Sequence, residues 1–324
     1  MSTHVIVGAG PVGTAVARLL AEAGETVRVV TRSGSGLDHP LVERVAADAG
    51  DARRLSELTR GAAVLYNCAN MAYTKWPELW PPVSAAMIKA AKENDAVLAI
   101  TGNLYGYGPQ PGGRMSEHTP LAATGRKGRV RIAMWEDALA SGVRTFEARG
   151  SDYVGAGADG VFSAVLIPAI TKGRTAWLPG DPDIPHTWTY IGDMARTLVT
   201  LARDERAWGR AWHVPSQPAV SVRDLAARYS ELTGKPAVKL RRLPRWVMRT
   251  AGLAVPIARE LAEMDYQFYG PFLLDSQETA STFGLTATSL DVALREESQS
   301  SSPTPSRRGS PAAPPTPTAV TPPK

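Results

Sequence analysis

The stretch His4–Arg32, HVIVGAGPVGTAVARLLAEAGETVRVVTR, decides the fold. A short apolar run, Val5, Ile6 and Val7, breaks at Gly8, Gly10 and Gly13. Val12, Val16, Leu19 and Leu20 then fall at near-helical spacing and form one apolar stripe. Gly24 supplies a C-cap, and a second β-rich run, Thr26–Thr31, follows. Strand, glycine turn, helix and strand in this order form the βαβ unit that binds dinucleotides. Gly8 permits the tight turn, Gly10 lets the backbone approach a pyrophosphate, and Gly13 lets helix and strand pack closely. The helix start at Pro11, Val12 and Gly13 directs free N–H groups and a partial positive charge at the phosphates. Pro11 loses only an N–H that has no partner there.

Composition places few limits on the rest. At 324 residues the chain is long enough for one large α/β domain or two smaller ones. Hydrophobic content of 44% and charge of 21% are ordinary for a globular protein. The net charge of +5 suits phosphate-bearing ligands, but no basic stripe or base-reading motif accompanies it, so nucleic acid is not an expected partner. Cys68 is the only cysteine, which excludes intrachain disulfides and cysteine-based metal sites. The N-terminus runs directly into the first strand without a signal peptide, and no apolar stretch is long enough to span a bilayer. The expectation is a cytoplasmic protein with no membrane partner.

Further along, Leu41–Ala47 and Ala62–Tyr66 read as strands with a helix over Ala52–Thr59 between them. A Trp- and Pro-rich loop (Trp76 to Pro82) leads into a helix carrying Met87, Ile88 and Ala91, and Ala96–Ile100 is a fifth strand. Predicted elements continue with a helix over Val130–Ser141, a strand over Arg144–Ala148 and a buried helix over Val161–Thr171. Ser221 reads as the N-cap of Val222–Leu232, and Pro244–Ala251 and Pro256–Met264 each begin with a helix-start proline. Strands alternating with helices predict a Rossmann-type, doubly wound parallel sheet, followed by a smaller C-terminal α/β substrate lobe. Residues 1–205 form mainly the first, and 206–295, with part of 171–190, the second. From Glu296 to Lys324 the chain is Ser, Pro, Thr and Arg with almost nothing apolar, the composition of a disordered tail.

Several segments together resemble the extended short-chain dehydrogenase/reductases, the NAD-dependent epimerase/dehydratase group. They are the glycine turn, Asp48-x-x-Asp51, the Leu104–Gly108 loop, Glu117–Leu121, Arg149–Gly157, Thr189–Ala195, Leu274-Asp275-Ser276 and Phe283-Gly284-Leu285-x-x-Thr288. The match covers roughly residues 3–295. Two positions depart from the family pattern. Val7 stands where the family's first glycine belongs. The Tyr-x-x-x-Lys dyad is missing: no tyrosine has a lysine four residues on, and the Tyr and Lys positions fall near Lys127 and Arg131. The family's proton-transfer mechanism therefore does not carry over.

The resemblance implies an NAD(P)-dependent oxidoreductase or epimerase/dehydratase-like enzyme, acting on a sugar nucleotide or another small carbonyl or alcohol. The alternative is a non-catalytic NADP(H)-binding redox sensor or scaffold. Asp48 and Ala49 are expected beside the adenine, with helix capping as the other reading of Asp48. Asn67 and Asn70 either bond the cofactor or only shape their turn. Thr101 and Asn103 are rival matches to the family's active-site serine. Without the dyad, Tyr105, Tyr107 or Lys127 is the expected acid/base group, with Arg131 a positioning cation. The end of the second strand carries Arg32 and no carboxylate until Asp38, so NADP is expected in preference to NAD. No metal is expected, since His118, His186 and Asp181-Pro182-Asp183 lack ligand spacing. The expected partner is a small-molecule substrate, with a homodimer left open.

Overall fold

Alternating apolar runs and helical stretches assemble into one seven-stranded sheet in the computed structural model, which describes residues 3–300 apart from 245, 248, 249 and 251–255. Its strands are β1 (Thr3–Val7), β2 (Thr26–Thr31), β3 (Val42–Ala46), β4 (Ala62–Asn67), β5 (Val97–Asn103), β6 (Thr145–Gly150) and β7 (Ala211–His213). Their spatial order is β7-β6-β5-β4-β1-β2-β3, and every neighbouring pair is parallel. Chain order reverses beside β1, which lies between β2 and β4, so a crevice opens outside the carboxyl ends of these strands.

Helices cover both faces. Val12, Val16 and Leu20 of α1 (Pro11–Glu22) join Met194 and Leu198 of α5 (Ile191–Leu201) over Ile6, Val29 and Phe146. On the other face α2 (Ala52–Thr59), α3 (Trp76–Glu93) and α4 (Arg126–Ala140) bury Leu55, Trp80, Met87 and Trp135 against Val5, Val7 and Leu98. Val5 and Val7 face one core and Ile6 the other, the alternation that a strand buried on both sides requires. A third apolar cluster, including Phe162, Leu166, Trp188, Leu225, Tyr229 and Leu294, is the core of the smaller lobe. There Ser221 caps α6 (Val222–Thr233), its hydroxyl accepting from Asp224 N–H at 3.1 Å.

Four sequence expectations need correction. The Trp/Pro segment is not a loop: α3 starts at Trp76 and runs through Pro81 and Pro82. Burial of Trp76 and Trp80 outweighs the missing N–H bonds. Helix α4 begins at Arg126 rather than Val130, because Lys127 and Gly128 are buried and not part of a solvated loop. The sheet extends beyond residue 205, since β7 pairs with β6. Finally, helix α8 (Leu290–Ser300), numbered after α7 (Pro256–Glu263), continues five residues into the segment whose composition predicts disorder. Its Glu296 accepts from Tyr190 Oη at 2.6 Å, and Glu297 accepts from Gly155 N–H at 2.7 Å and Ser163 Oγ at 2.8 Å. The helix expected over 244–251 lies largely outside the described residues, as does 301–324.

Candidate active site

The glycine turn connects β1 to α1 at the reversal of strand order. Gly8 has φ of +103°, and a Cβ there would collide with the Cys68 carbonyl, so only glycine fits. A Cβ on Gly13 would strike the Gly8 carbonyl. Gly10 is different: a Cβ there meets nothing within 4 Å, so the backbone faces open space. Gly10 is the extended N-cap of α1, and the first helical bond is from Thr14 N–H to Gly10 O at 2.9 Å. The helix itself therefore leaves the Val12 and Gly13 amides of its first turn without acceptors. Val7 is core and pairs with Val30 and Asn67. The residues present fit a dinucleotide pyrophosphate.

Around this turn the expected cofactor residues separate. Arg32 lies just past β2, exposed and in no ion pair among the described residues. Asp48 is exposed and accepts from Gly50 N–H at 2.9 Å, an Asx turn beside Ala49. The cap of α2 is Asp51, which accepts from Arg54 N–H at 3.0 Å, so the capping reading of Asp48 is wrong. Asn67 is buried and accepts from Ala69 N–H at 3.3 Å, which shapes its turn, while Asn70 is exposed.

Farther along the same edge, Thr101 at the end of β5 donates to Cys68 Sγ at 3.6 Å. Burial pushes that thiol up to about 12, so it remains protonated. Asn103 Oδ1 accepts from Tyr105 N–H at 3.1 Å, holding the next turn of chain. Arg131 is buried with its guanidinium 4.8 Å from the Trp76 ring centre and 4.9 Å from that of Trp80. Its Nη1 donates to Thr101 O at 3.3 Å, and its Nε has no partner. The basic run thus divides: Lys127 and Arg131 face inward, Arg126 and Arg129 outward.

Two expected acid/base groups are engaged elsewhere. Tyr107 is fully buried: Arg149 Nη1 donates to its oxygen at 2.9 Å, and His213 Nε2 lies 2.7 Å from it. His213 Nδ1 is 2.7 Å from Asp275 O and must donate to it, so Nε2 accepts the Tyr107 proton. Tyr107 is a core residue and not a candidate donor. Lys127, 1% exposed, is paired with Glu260 and lies 3.7 Å from Glu263 on α7, which occupies its proton-bearing nitrogen. Tyr105 remains a candidate; its hydroxyl is 3.5 Å from that of Tyr73, and burial raises it to about 12.

Sequence patterns give no sign of a further set of groups gathered here. Asp152, just past β6, acts electrostatically on Tyr73, Tyr105, Tyr153 and Tyr266. His186 is buried, not in an open loop, with Nε2 3.1 Å from Asp152 Oδ2 but off the hydrogen-bond direction, so neither atom is satisfied. Tyr153 Oη, Tyr266 Oη and Gln267 Oε1 are buried without partners as well. Unsatisfied buried groups are rare, and a local concentration of them marks where a ligand's or water's polar atoms belong. No spacing rule joins residues 73, 105, 131, 153, 186 and 266, because packing of the small lobe brings them together.

No family model matches the sequence, and neither does any curated protein. Solved structures do match. The Bordetella bronchiseptica enzyme WbmH, solved with NAD+, aligns with a TM-score of 0.75 at 18% identity over 93% of this chain and 98% of its own. The dTDP-glucose 4,6-dehydratase of Bacillus anthracis, solved with NAD, aligns at 0.75 and 15% identity over 93% and 96%. The UDP-glucuronic acid 4-epimerase of Bacillus cereus, also with NAD, aligns at 0.74 and 14% identity over 92% and 98%. The fold of this chain is the one these enzymes share.

Proposed function

We propose that the protein is an NAD(P)-dependent oxidoreductase or epimerase/dehydratase-like enzyme, an atypical relative of the extended short-chain dehydrogenase/reductases, acting on a sugar nucleotide or another small carbonyl or alcohol. The observation that carries this is the open backbone at Gly10 on the same sheet edge as the unsatisfied groups around Thr101, Asp152 and Tyr153. A nicotinamide dinucleotide supplies hydride transfer when bound. The chain's part is to hold and orient. Amides of Val12 and Gly13 take the pyrophosphate, Asp48 and Ala49 border the adenine, and Thr101 and the tyrosine hydroxyls surround the substrate oxygen.

NADP(H) is the preferred form in this reading. Arg32 is exposed and free to make charge-assisted bonds with a 2′-phosphate dianion, and no carboxylate stands at the β2 end to claim ribose hydroxyls. The structural neighbours were solved with NAD, so the preference rests on Arg32 alone. Titrating NADPH and NADH against wild type and Arg32→Ala tests it. NADPH should bind tighter, and the substitution should remove most of the difference. Equal affinities unchanged by the substitution overturn the preference.

The second reading, a redox sensor that keeps the cofactor pocket, is favoured by one observation: Lys127, at the missing tyrosine's position, is locked in ion pairs. Incubation with NADPH and a panel of ketones and nucleotide sugars separates the two. Turnover supports the enzyme, and binding without turnover on any of them supports the sensor. A cytoplasmic location completes the proposal, with a homodimer left open. Among the described residues no helix is long and apolar enough to cross a membrane.

A further inference from the structure

We propose that Tyr153, carried by the short strand after β6 and not by helix α4, gives the proton to the substrate oxygen, with Arg131 as the cation that holds the phenolate left behind. The proposal rests on the enzymatic reading above and names the donor that the missing dyad leaves open.

Arg131 is buried, flanked by two indoles and bonded to one carbonyl oxygen, and no carboxylate lies within ion-pair distance of it among the described residues. Removing a guanidinium from water without an anion is costly, so this position favours a partner that becomes negative during the reaction. Glu147 does not serve, because it is bound to Arg149 Nε at 2.6 Å. Lys127, one turn earlier, already has two carboxylates. Among the described residues Arg131 is the buried cation of α4 that has no carboxylate.

Tyr153 matches it. Its strand, Asp152–Val154, follows β6 directly and pairs with Trp188–Tyr190. The ring packs against the core that contains Cys68, the residue just past β4, and Cys68 also acts on it electrostatically, which puts Tyr153 on the carboxyl-edge side of the sheet. The hydroxyl is shielded from solvent and has no hydrogen-bond partner. Arg131, Tyr105 and Asp152 all act on it. Desolvation dominates and raises Tyr153 above the usual phenol range, so it stands protonated at neutral pH, as a donor must. Tyr105 is the weaker choice because its oxygen is already engaged, accepting from the Tyr73 hydroxyl at 3.5 Å and from the Gln267 side chain, whereas the Tyr153 hydroxyl has no partner to give up.

In the reductive direction the carbonyl carbon gains hydride from a reduced nicotinamide, and the C=O electron pair moves onto oxygen. An O–H bond forms there as the Tyr153 O–H bond breaks. Arg131 stabilises the phenolate until water returns the proton.

Protein carrying difluorotyrosine brings phenol titrations into an accessible range, and Tyr153→Phe identifies the Tyr153 fluorine signal by its loss. Arg131→Gln should raise the Tyr153 midpoint by about one to three pH units, while Arg131→Lys, which keeps the charge and serves if the Gln variant misfolds, should hold it near wild type. In single turnovers of NADPH with phenanthrenequinone, Tyr153→Phe should be slower by about 10²–10⁴-fold with NADPH affinity unchanged, and Tyr105→Phe should fall much less. A Tyr153 signal unmoved when the Arg131 charge is removed, or wild-type turnover in Tyr153→Phe, overturns the donor assignment and leaves the enzymatic reading intact. Wild-type protein that binds no nicotinamide cofactor, or binds it and reduces nothing, overturns the enzymatic reading and the donor role with it.

Discussion

Deleting the Tyr107 hydroxyl strands two buried groups at once. Arg149 Nη1 loses the acceptor 2.9 Å away, and His213 Nε2 loses the donor 2.7 Å away. Each orphan costs about 1–3 kcal/mol, so Tyr107→Phe should lower the unfolding free energy by about 2–6 kcal/mol in urea titration while NADPH affinity holds. A variant as stable as wild type would show that this network contributes nothing. Its histidine gives a second, pH-dependent prediction. Burial pushes His213 down to about 4 from 6.5, so between these values the unfolded chain binds a proton that the folded chain refuses. The stability is therefore present above pH 6.5 and lost as pH falls toward 4, by about 3 kcal/mol in all. Buried Glu297, raised to about 7, has the opposite sign, gaining stability as pH falls through the same range, so the His213 effect must be read as a difference. Stability curves of wild type and His213→Gln should diverge across pH 6.5–4, and parallel curves would refute the assignment. None of this is visible in the sequence. Tyr107 stands just beyond β5, where a donor is wanted, but the partner that removes it from that role lies 106 residues further on.

Elements whose own period sets their structure are legible in the sequence, and elements set by their neighbours are not. The opening βαβ unit is dictated by the apolar run, three glycines and one helical stripe, all local signals. The first turns of helix α3, Trp76 to Pro82, read as a loop because their prolines are local and the core holding Trp76 and Trp80 is not. Helix α8 reads short for the same reason: Glu296 and Glu297 look like the start of a polar tail, yet both are fixed by residues more than a hundred positions earlier. A chain ending at Arg295 loses both anchors, as well as the Ser300 hydroxyl that accepts from Gly157 N–H at 3.3 Å. Gly157 itself packs near Pro11 of the glycine turn, where a Cβ on it would lie 3.3 Å from the proline ring. Ending at Arg295 should thus lower the melting temperature by several degrees and weaken NADPH binding. Ending at Ser300 should leave both unchanged, because the sequence from Ser301 to Lys324 is too polar to add a core. If the two truncations melt together, α8 is not anchored through these glutamates.

At the scale of the whole molecule, Lys127 is a brace between the lobes. It belongs to α4, which packs on the sheet, and its Nζ meets Glu260 and Glu263 of α7 in the smaller lobe, while its amide donates to Glu263 Oε1 at 2.8 Å. The ammonium also lies 4.3 Å from the centre of the Tyr73 ring, so the brace closes directly over the tyrosine set. Desolvating these charges makes the pair weak evidence for stability, but breaking it is a different matter, since one carboxylate is left buried alone. Lys127→Met should cost about 3–5 kcal/mol, read from the urea midpoint, and should slow turnover only by loosening the lobe that carries Tyr266 and Gln267. Glu260→Gln in the same chain removes the stranded charge. The double variant should recover most of the lost stability, because a neutral amide beside a thioether no longer demands a counter-ion. Turnover should recover with it, since Tyr153 and Arg131 are untouched. A double variant that is stable yet still slow by about a hundredfold or more would make the Lys127 amine part of the chemistry after all and displace Tyr153 as the donor.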